Sequence, residues 1–215
     1  MKFRKPELKI LRLALLAGSV FVTTSVVADN APDIQLGKIL AYTCHGCHGI
    51  ETYKNTYPTY NVPKLGGQYA KYIEDALKEY ANGDRAHGTM HAQAATLSDQ
   101  DRAAIAAFFQ GAAPREGAAP IGTQPPSTAL CVTCHGNDGV SFSSQFPILA
   151  GQHRDYLEQA MRDYKSGKRK NAVMAGVIAQ IKDEDIPAIA HFFANQKSPL
   201  CATDQIRKYG KCQQD

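Results

Sequence analysis

Between Cys44 and His48 the chain places two cysteines and two histidines in five positions, and a second C-x-x-C-H stands at Cys131 to His135. A C-x-x-C pair serves three chemistries: a redox dithiol, half of a zinc site, or, when His follows at once, covalent attachment of c-type haem. The two motifs lie 87 residues apart, whereas paired zinc half-sites usually fall within about 20 residues of each other. No βαβ pattern surrounds either motif, as a thioredoxin-like dithiol would require. Haem attachment is the chemistry that fits. Two thiols three apart on one helical turn can each add to a porphyrin vinyl group, and the adjacent His48 or His135 then lies under the iron as an axial ligand. The expectation is two covalently bound haems c, one at Cys44 and Cys47 and one at Cys131 and Cys134.

The elements that hold these motifs come from an internal duplication. Shifted by 84 positions, residues 67–110 match residues 151–194 at 17 of 44 places without a gap, and an indel of three then brings the two C-x-x-C-H motifs into register. Two copies of this length imply two structural units rather than a solenoid. In the first copy Asp33 can cap a helix that runs into the Cys cluster. Tyr69, Tyr72, Ile73, Ala76, Leu77 and Tyr80 recur at helical spacing and stop near Gly83. Ser98 and Asp101 form a capping box for a helix that passes Ile105, Phe108 and Phe109 and ends at Gly111. The second copy repeats the pattern with Tyr156, Leu157, Ala160, Met161 and Tyr164, ending near Gly167, and then with Ile186, Ile189 and Phe193. No stretch alternates as a strand does. An all-α fold follows, with one unit at 29–110, a Pro/Gly/Ala-rich linker at 111–126, a second unit at 127–196 and a tail at 197–215.

The repeat also sorts the candidate ligands. His45 falls on Val132 and reads as a spacer. Of the Met residues beyond the leader, Met90 and Met174 coincide in the repeat, whereas Met161 falls on Leu77 at an apolar helix position. Met90 and Met174 are therefore the expected sixth ligands, and thioether ligation raises the potential and closes the iron to other ligands, which favours electron transfer over catalysis. His87 and His91 flank Met90 and compete with it, but they fall on Asn171 and Ala175. His153 and His191 have no His partner in the repeat and read as surface or packing residues. Pro63 and Pro147 stand at equivalent places, where a carbonyl can accept the ring N–H of the ligand histidine. Cys201 and Cys212 lie outside both motifs and are expected to form a disulfide that pins the tail.

The N-terminus has a cationic start, an apolar run from about Ile10 to Val22 and the small-residue exit Val26-Val27-Ala28. This is the layout of a secretory signal peptide cleaved after Ala28, although Leu11 to Ala28 is almost long enough for a retained anchor. The whole chain has net charge +4, and the first 28 residues carry all of it, which leaves 19 basic and 19 acidic residues beyond. A formally neutral mature chain offers no argument for nucleic-acid binding.

Paired C-x-x-C-H motifs, the segments PKLGGQY and PILAGQH, a Met some 40 residues beyond each His and a terminal helix with D-x-x-x-I-A-x-F-F resemble the class I cytochromes c, and more closely the dihaem cytochrome c4 family. The resemblance covers Ile34 to Gln196. It implies two tandem class I cytochrome c domains related by a pseudo-twofold axis, with haem propionates near the domain interface. It also implies a periplasmic, often membrane-associated electron carrier rather than an enzyme, with redox partners such as a quinol-oxidising bc complex and a haem-copper terminal oxidase. Service to a periplasmic dehydrogenase, or a dihaem peroxidase-like activity, are the alternatives. The loop Ile50 to Asn61 is longer than the family's pattern and bears on access to the first haem.

Overall fold

Asp33 accepts hydrogen bonds from the amides of Gln35 and Leu36 (2.9 and 3.1 Å) and so starts the first helix, α1 (Ile34–Leu40). In this computed structural model residues 31–112 and 117–213 are described, and the expected leader, 1–28, lies outside them. The helix does not run through the Cys cluster. It stops at Ala41, turns, and resumes as the single turn α2 (His45–His48). Then come α3 (Ala70–Asn82), α4 (Gly88–Ala94) and α5 (Asp99–Gln110). Gly83 ends α3 with φ +83°, a left-handed conformation that glycine adopts without a Cβ clash. The Ser98–Asp101 capping box is present at the start of α5.

The second half follows residues 117–125, which carry neither helix nor strand, and a 3₁₀ turn at Pro126–Thr128. Its helices are α6 (Ala129–His135), which contains the whole second motif, α7 (Arg154–Lys165), α8 (Ala172–Ile178) and α9 (Ile186–Ala194). A last helix, α10 (Thr203–Tyr209), lies in the tail. Only isolated bridges, and no sheet, occur among the described residues. None of the described helices is long and apolar enough to cross a membrane.

Each half has its own core. In the first, Ile73, Leu77, Ile105, Phe108 and Phe109 pack together, and α1 crosses α5 at Gly37, where a Cβ would lie 2.1 Å from the Ala104 carbonyl oxygen. In the second, Leu157, Met161, Ile189, Phe192 and Phe193 fill the corresponding positions. The tail does not stay with the second half. Cys201 and Gly66 exchange both backbone hydrogen bonds (3.0 and 2.9 Å), and Cys201, Ile206 and Cys212 pack into the first core. Cys201 and Cys212 are joined by a disulfide. A side chain at position 66 would meet the Cys201 sulfur at 2.7 Å, so the close approach requires glycine there.

Several of the bonds between the halves are reciprocal and obey the 84-residue shift. The Gln68 side chain donates to the Ile148 carbonyl (3.0 Å) and accepts from the Ile148 amide (2.9 Å). Its counterpart Gln152 donates to the Lys64 carbonyl and accepts from the Lys64 amide, both at 3.0 Å. Ala86 N–H donates to Lys168 O, and Lys170 N–H donates to Asp84 O. Both glutamine side chains are buried, and each pair satisfies backbone groups at the interface, fully buried at Ile148 and partly buried at Lys64.

Candidate functional site

A cavity opens beside each C-x-x-C-H motif, and the residues singled out by spacing border it. Cys44, Cys47, His48 and Met90 line a cavity of about 200 Å³ in the first half. Cys131, Cys134, His135 and Met174 line one of about 500 Å³ in the second.

The motif helices aim the histidines inward, and both are buried, His48 at 9% exposure and His135 at 6%. His48 Nδ1 lies 2.8 Å from the Pro63 carbonyl oxygen and His135 Nδ1 2.9 Å from that of Pro147. A carbonyl can only accept, so Nδ1 carries the proton and Nε2 keeps its lone pair. Burial lowers the pKa of both rings, that of His48 to about 4, which holds them as neutral imidazoles able to ligate a metal. The thiols suit a redox dithiol poorly. Burial raises Cys44 and pushes Cys131 up to about 11, away from the thiolate that disulfide exchange needs.

The methionines arrive on elements that helical periodicity alone did not reveal. α4 and α8 are seven-residue helices, each opened by a side-chain cap three residues before its Met: His87 Nδ1 accepts from the Met90 amide (3.3 Å), and Asn171 Oδ1 accepts from the Met174 amide (3.0 Å). His87 therefore does what its repeat counterpart Asn171 does. His91, the other competitor, has Nδ1 engaged with the Tyr80 carbonyl at 2.9 Å. His191 pairs with the Asn195 side chain, and His153 precedes α7. His45 is more than a spacer. Its ring packs edge-on against Phe108 and Phe109, and Nδ1 lies 2.8 Å from the Thr203 hydroxyl of the tail.

A feature absent from the sequence reading lies between the cavities. Arg85 and Arg169 are 7% and 5% exposed, and among the described residues neither lies within ion-pair distance of a carboxylate. Among the described residues, Arg169 Nε has no hydrogen-bond partner. Burial alone would raise the pKa of Tyr72, but the fields of Arg169 and Arg85 outweigh it and lower that of the phenol. Two buried cations so short of counter-charge are costly unless an anion joins them. Haem c brings two carboxylates, and guanidinium pairs with carboxylate by parallel hydrogen bonds. The residues present therefore fit the group: attachment cysteines, an imidazole, a thioether, an apolar wall and a buried cation in each half. One sequence signal pointed to the arginines, since they are the only basic identity between the two copies.

Two small helical units, each with a C-x-x-C-H helix and a distal methionine at one cavity, define a class I c-type cytochrome. The comparisons make that narrower. The profile of the family described as Cytochrome c matches residues 34–113. Cytochrome c4 of Pseudomonas aeruginosa is 31% identical over 77% of this chain and 90% of its own length. A thiosulfate dehydrogenase electron acceptor of Stutzerimonas stutzeri is 30% identical over 72% of this chain and 79% of its own. Among solved structures, reduced recombinant cytochrome c4 from Pseudomonas stutzeri superposes with a TM-score of 0.60 at 27% identity, covering 77% of this chain and 100% of that one. The chain belongs to the cytochrome c4 family. Its cofactors are two covalently bound haems c, and its coarse function is dihaem electron transfer.

Proposed function

We propose that the protein is an exported, periplasmic electron carrier of a respiratory chain, with thioether attachment at Cys44 and Cys47 and at Cys131 and Cys134, and with axial ligands His48 and Met90 in one half and His135 and Met174 in the other. When bound, each haem supplies a one-electron ferric/ferrous couple. The chain's residues do the rest. The Pro63 and Pro147 carbonyls orient the imidazoles and raise their basicity. Met90 and Met174 raise the potential. Phe109 and Phe193 border the cavities and keep water from them.

One observation carries this reading: an imidazole and a thioether border each cavity, enough to fill both axial positions and leave no place for a substrate on iron. Intact mass with a pyridine haemochrome assay is expected to give two haems per chain and a mature N-terminus at Asp29. Carbon monoxide added to the reduced protein is expected to bind negligibly. A substantial high-spin adduct would instead support a peroxidase-like enzyme.

The donor and acceptor are a quinol-oxidising bc complex and a haem-copper oxidase. A second route, acceptance of electrons from a periplasmic dehydrogenase, is favoured by the similarity to a thiosulfate dehydrogenase electron acceptor. Stopped-flow reduction of the oxidised protein by each donor separates the two. The faster donor at equal concentration identifies the route.

A further inference from the structure

The two buried arginines are held crosswise. Arg85 borders the first cavity and Arg169 the second. Each guanidinium stacks on a ring of its own half, Arg85 over Tyr80 and Arg169 over Tyr164, both at 4.5 Å. The hydroxyl each one reaches belongs to the other half: Arg85 Nη2 donates to Tyr156 Oη at 2.6 Å, and Arg169 Nη2 donates to Tyr72 Oη at 2.9 Å. The backbones of the two arginines also pair as an isolated antiparallel bridge. Stacking confines the plane of a guanidinium but leaves it free to slide and turn over the ring. The hydrogen bond fixes the remaining freedom, and in each half that bond comes from across the interface.

A buried cation matters to a nearby iron because ferric haem carries one more positive charge than ferrous haem. A guanidinium held close therefore favours the reduced state, with little screening in a dry interior. We propose that Tyr72 and Tyr156 are positioning residues that act across the interface, Tyr156 tuning the first-half haem by holding Arg85 and Tyr72 tuning the second-half haem by holding Arg169. This rests on the assignment of a haem to each cavity. It makes each potential a property of the assembled pair rather than of the half that carries the ligands.

The test uses the full holoprotein and the variants Tyr156→Phe and Tyr72→Phe, which keep the buried ring and remove only the hydroxyl. An NMR redox titration follows the haem methyl resonances of each centre separately. Tyr156→Phe is expected to lower the reduction equilibrium constant of the His48 centre on the order of tenfold, about 59 mV for one electron, and to move the His135 centre much less. Tyr72→Phe is expected to do the reverse. Both tyrosines border both cavities, so a double-mutant cycle separates action through arginine from a direct effect of the hydroxyl. Adding Tyr156→Phe to Arg85→Gln should change the first centre no further than Arg85→Gln alone, and Arg85→Met serves if the glutamine variant does not accumulate. A shift confined to the tyrosine's own half, equal shifts at both centres, or full additivity in the cycle overturns the inference. A wild-type chain carrying fewer than two haems would instead overturn the assignment beneath it.

Discussion

The two halves share a sequence pattern, yet they are finished differently. Where they face each other they are near copies: Gln68 and Gln152, Arg85 and Arg169, and Tyr72 and Tyr156 make the same bonds in both directions. Away from that face they diverge. The first half has a separate α1 crossing α5, a long loop whose Tyr60 is buried at the cavity, and a tail clamped onto its core. The second has no α1, meets the start of the tail at Ser198 and Leu200 without taking its helix, and carries its motif within one continuous helix. Its cavity is the larger, about 500 against 200 Å³. Symmetry is kept in these paired bonds, but neighbouring contacts between the halves, Asn61 N–H to the Asp155 carboxylate and the Tyr69 hydroxyl to the Ser141 carbonyl, have no counterpart, and it is lost again where each half meets solvent or the rest of the chain.

The largest expected effect breaks the pair outright. Replacing Cys131 and Cys134 by Ser should leave one haem per chain in a pyridine haemochrome assay, and the same change at Cys44 and Cys47 should leave the other. If either double variant retains two haems, the attachment assignment is wrong. Next in size, Met90→Ala and Met174→Ala should each lower one potential, by on the order of a hundredfold in the reduction equilibrium or about 120 mV, and each should admit carbon monoxide at one iron. Unchanged potentials in both variants would remove Met90 and Met174 as ligands.

A third change sharpens the asymmetry. Cys201→Ser with Cys212→Ser opens an eleven-residue separation and should cost about 3 kcal/mol. Hydrogen exchange should locate that loss in α2 and α5 of the first half, not in α7 and α9, and uniform loss of protection would contradict the packing of the tail. The smallest effect tests the symmetry. Gln68→Ala and Gln152→Ala each remove three hydrogen bonds to backbone, two of them across the interface, and should each cost about 2 kcal/mol in urea unfolding. Values differing by more than about 1 kcal/mol would show that the two bond pairs are not equivalent.

Much of this arrangement is legible in the amino-acid order. Asp33, Gly83 and the Ser98–Asp101 box marked helix ends because caps act within one turn of chain. The repeat brought each Cys pair, His and Met into one set, since duplicated units place equivalent residues at equivalent sites. α4 and α8 escaped notice because seven residues are too few to show a period, and α4 is capped by a histidine rather than by Ser, Thr, Asp or Asn. The break between α1 and α2 falls at the fully buried Ala41, where no Gly, Pro or cap residue marks it in the sequence. Tyr72 and Tyr156 read as apolar helix positions because spacing reports which face is buried, not what a hydroxyl touches there. The role of His45 depends on Thr203, 158 residues away, a contact that no local pattern encodes.

The seat of Cys201, Ile206 and Cys212 in the first core has a bearing on the order of biogenesis. Translation delivers the N-terminal half well before the tail, and domains generally consolidate in that order. Here the half that emerges earlier lacks part of its interior until residues 201–212 appear. A core begun before the second half is made is thus completed only by residues that follow it, so the first half cannot close until the second has been synthesised.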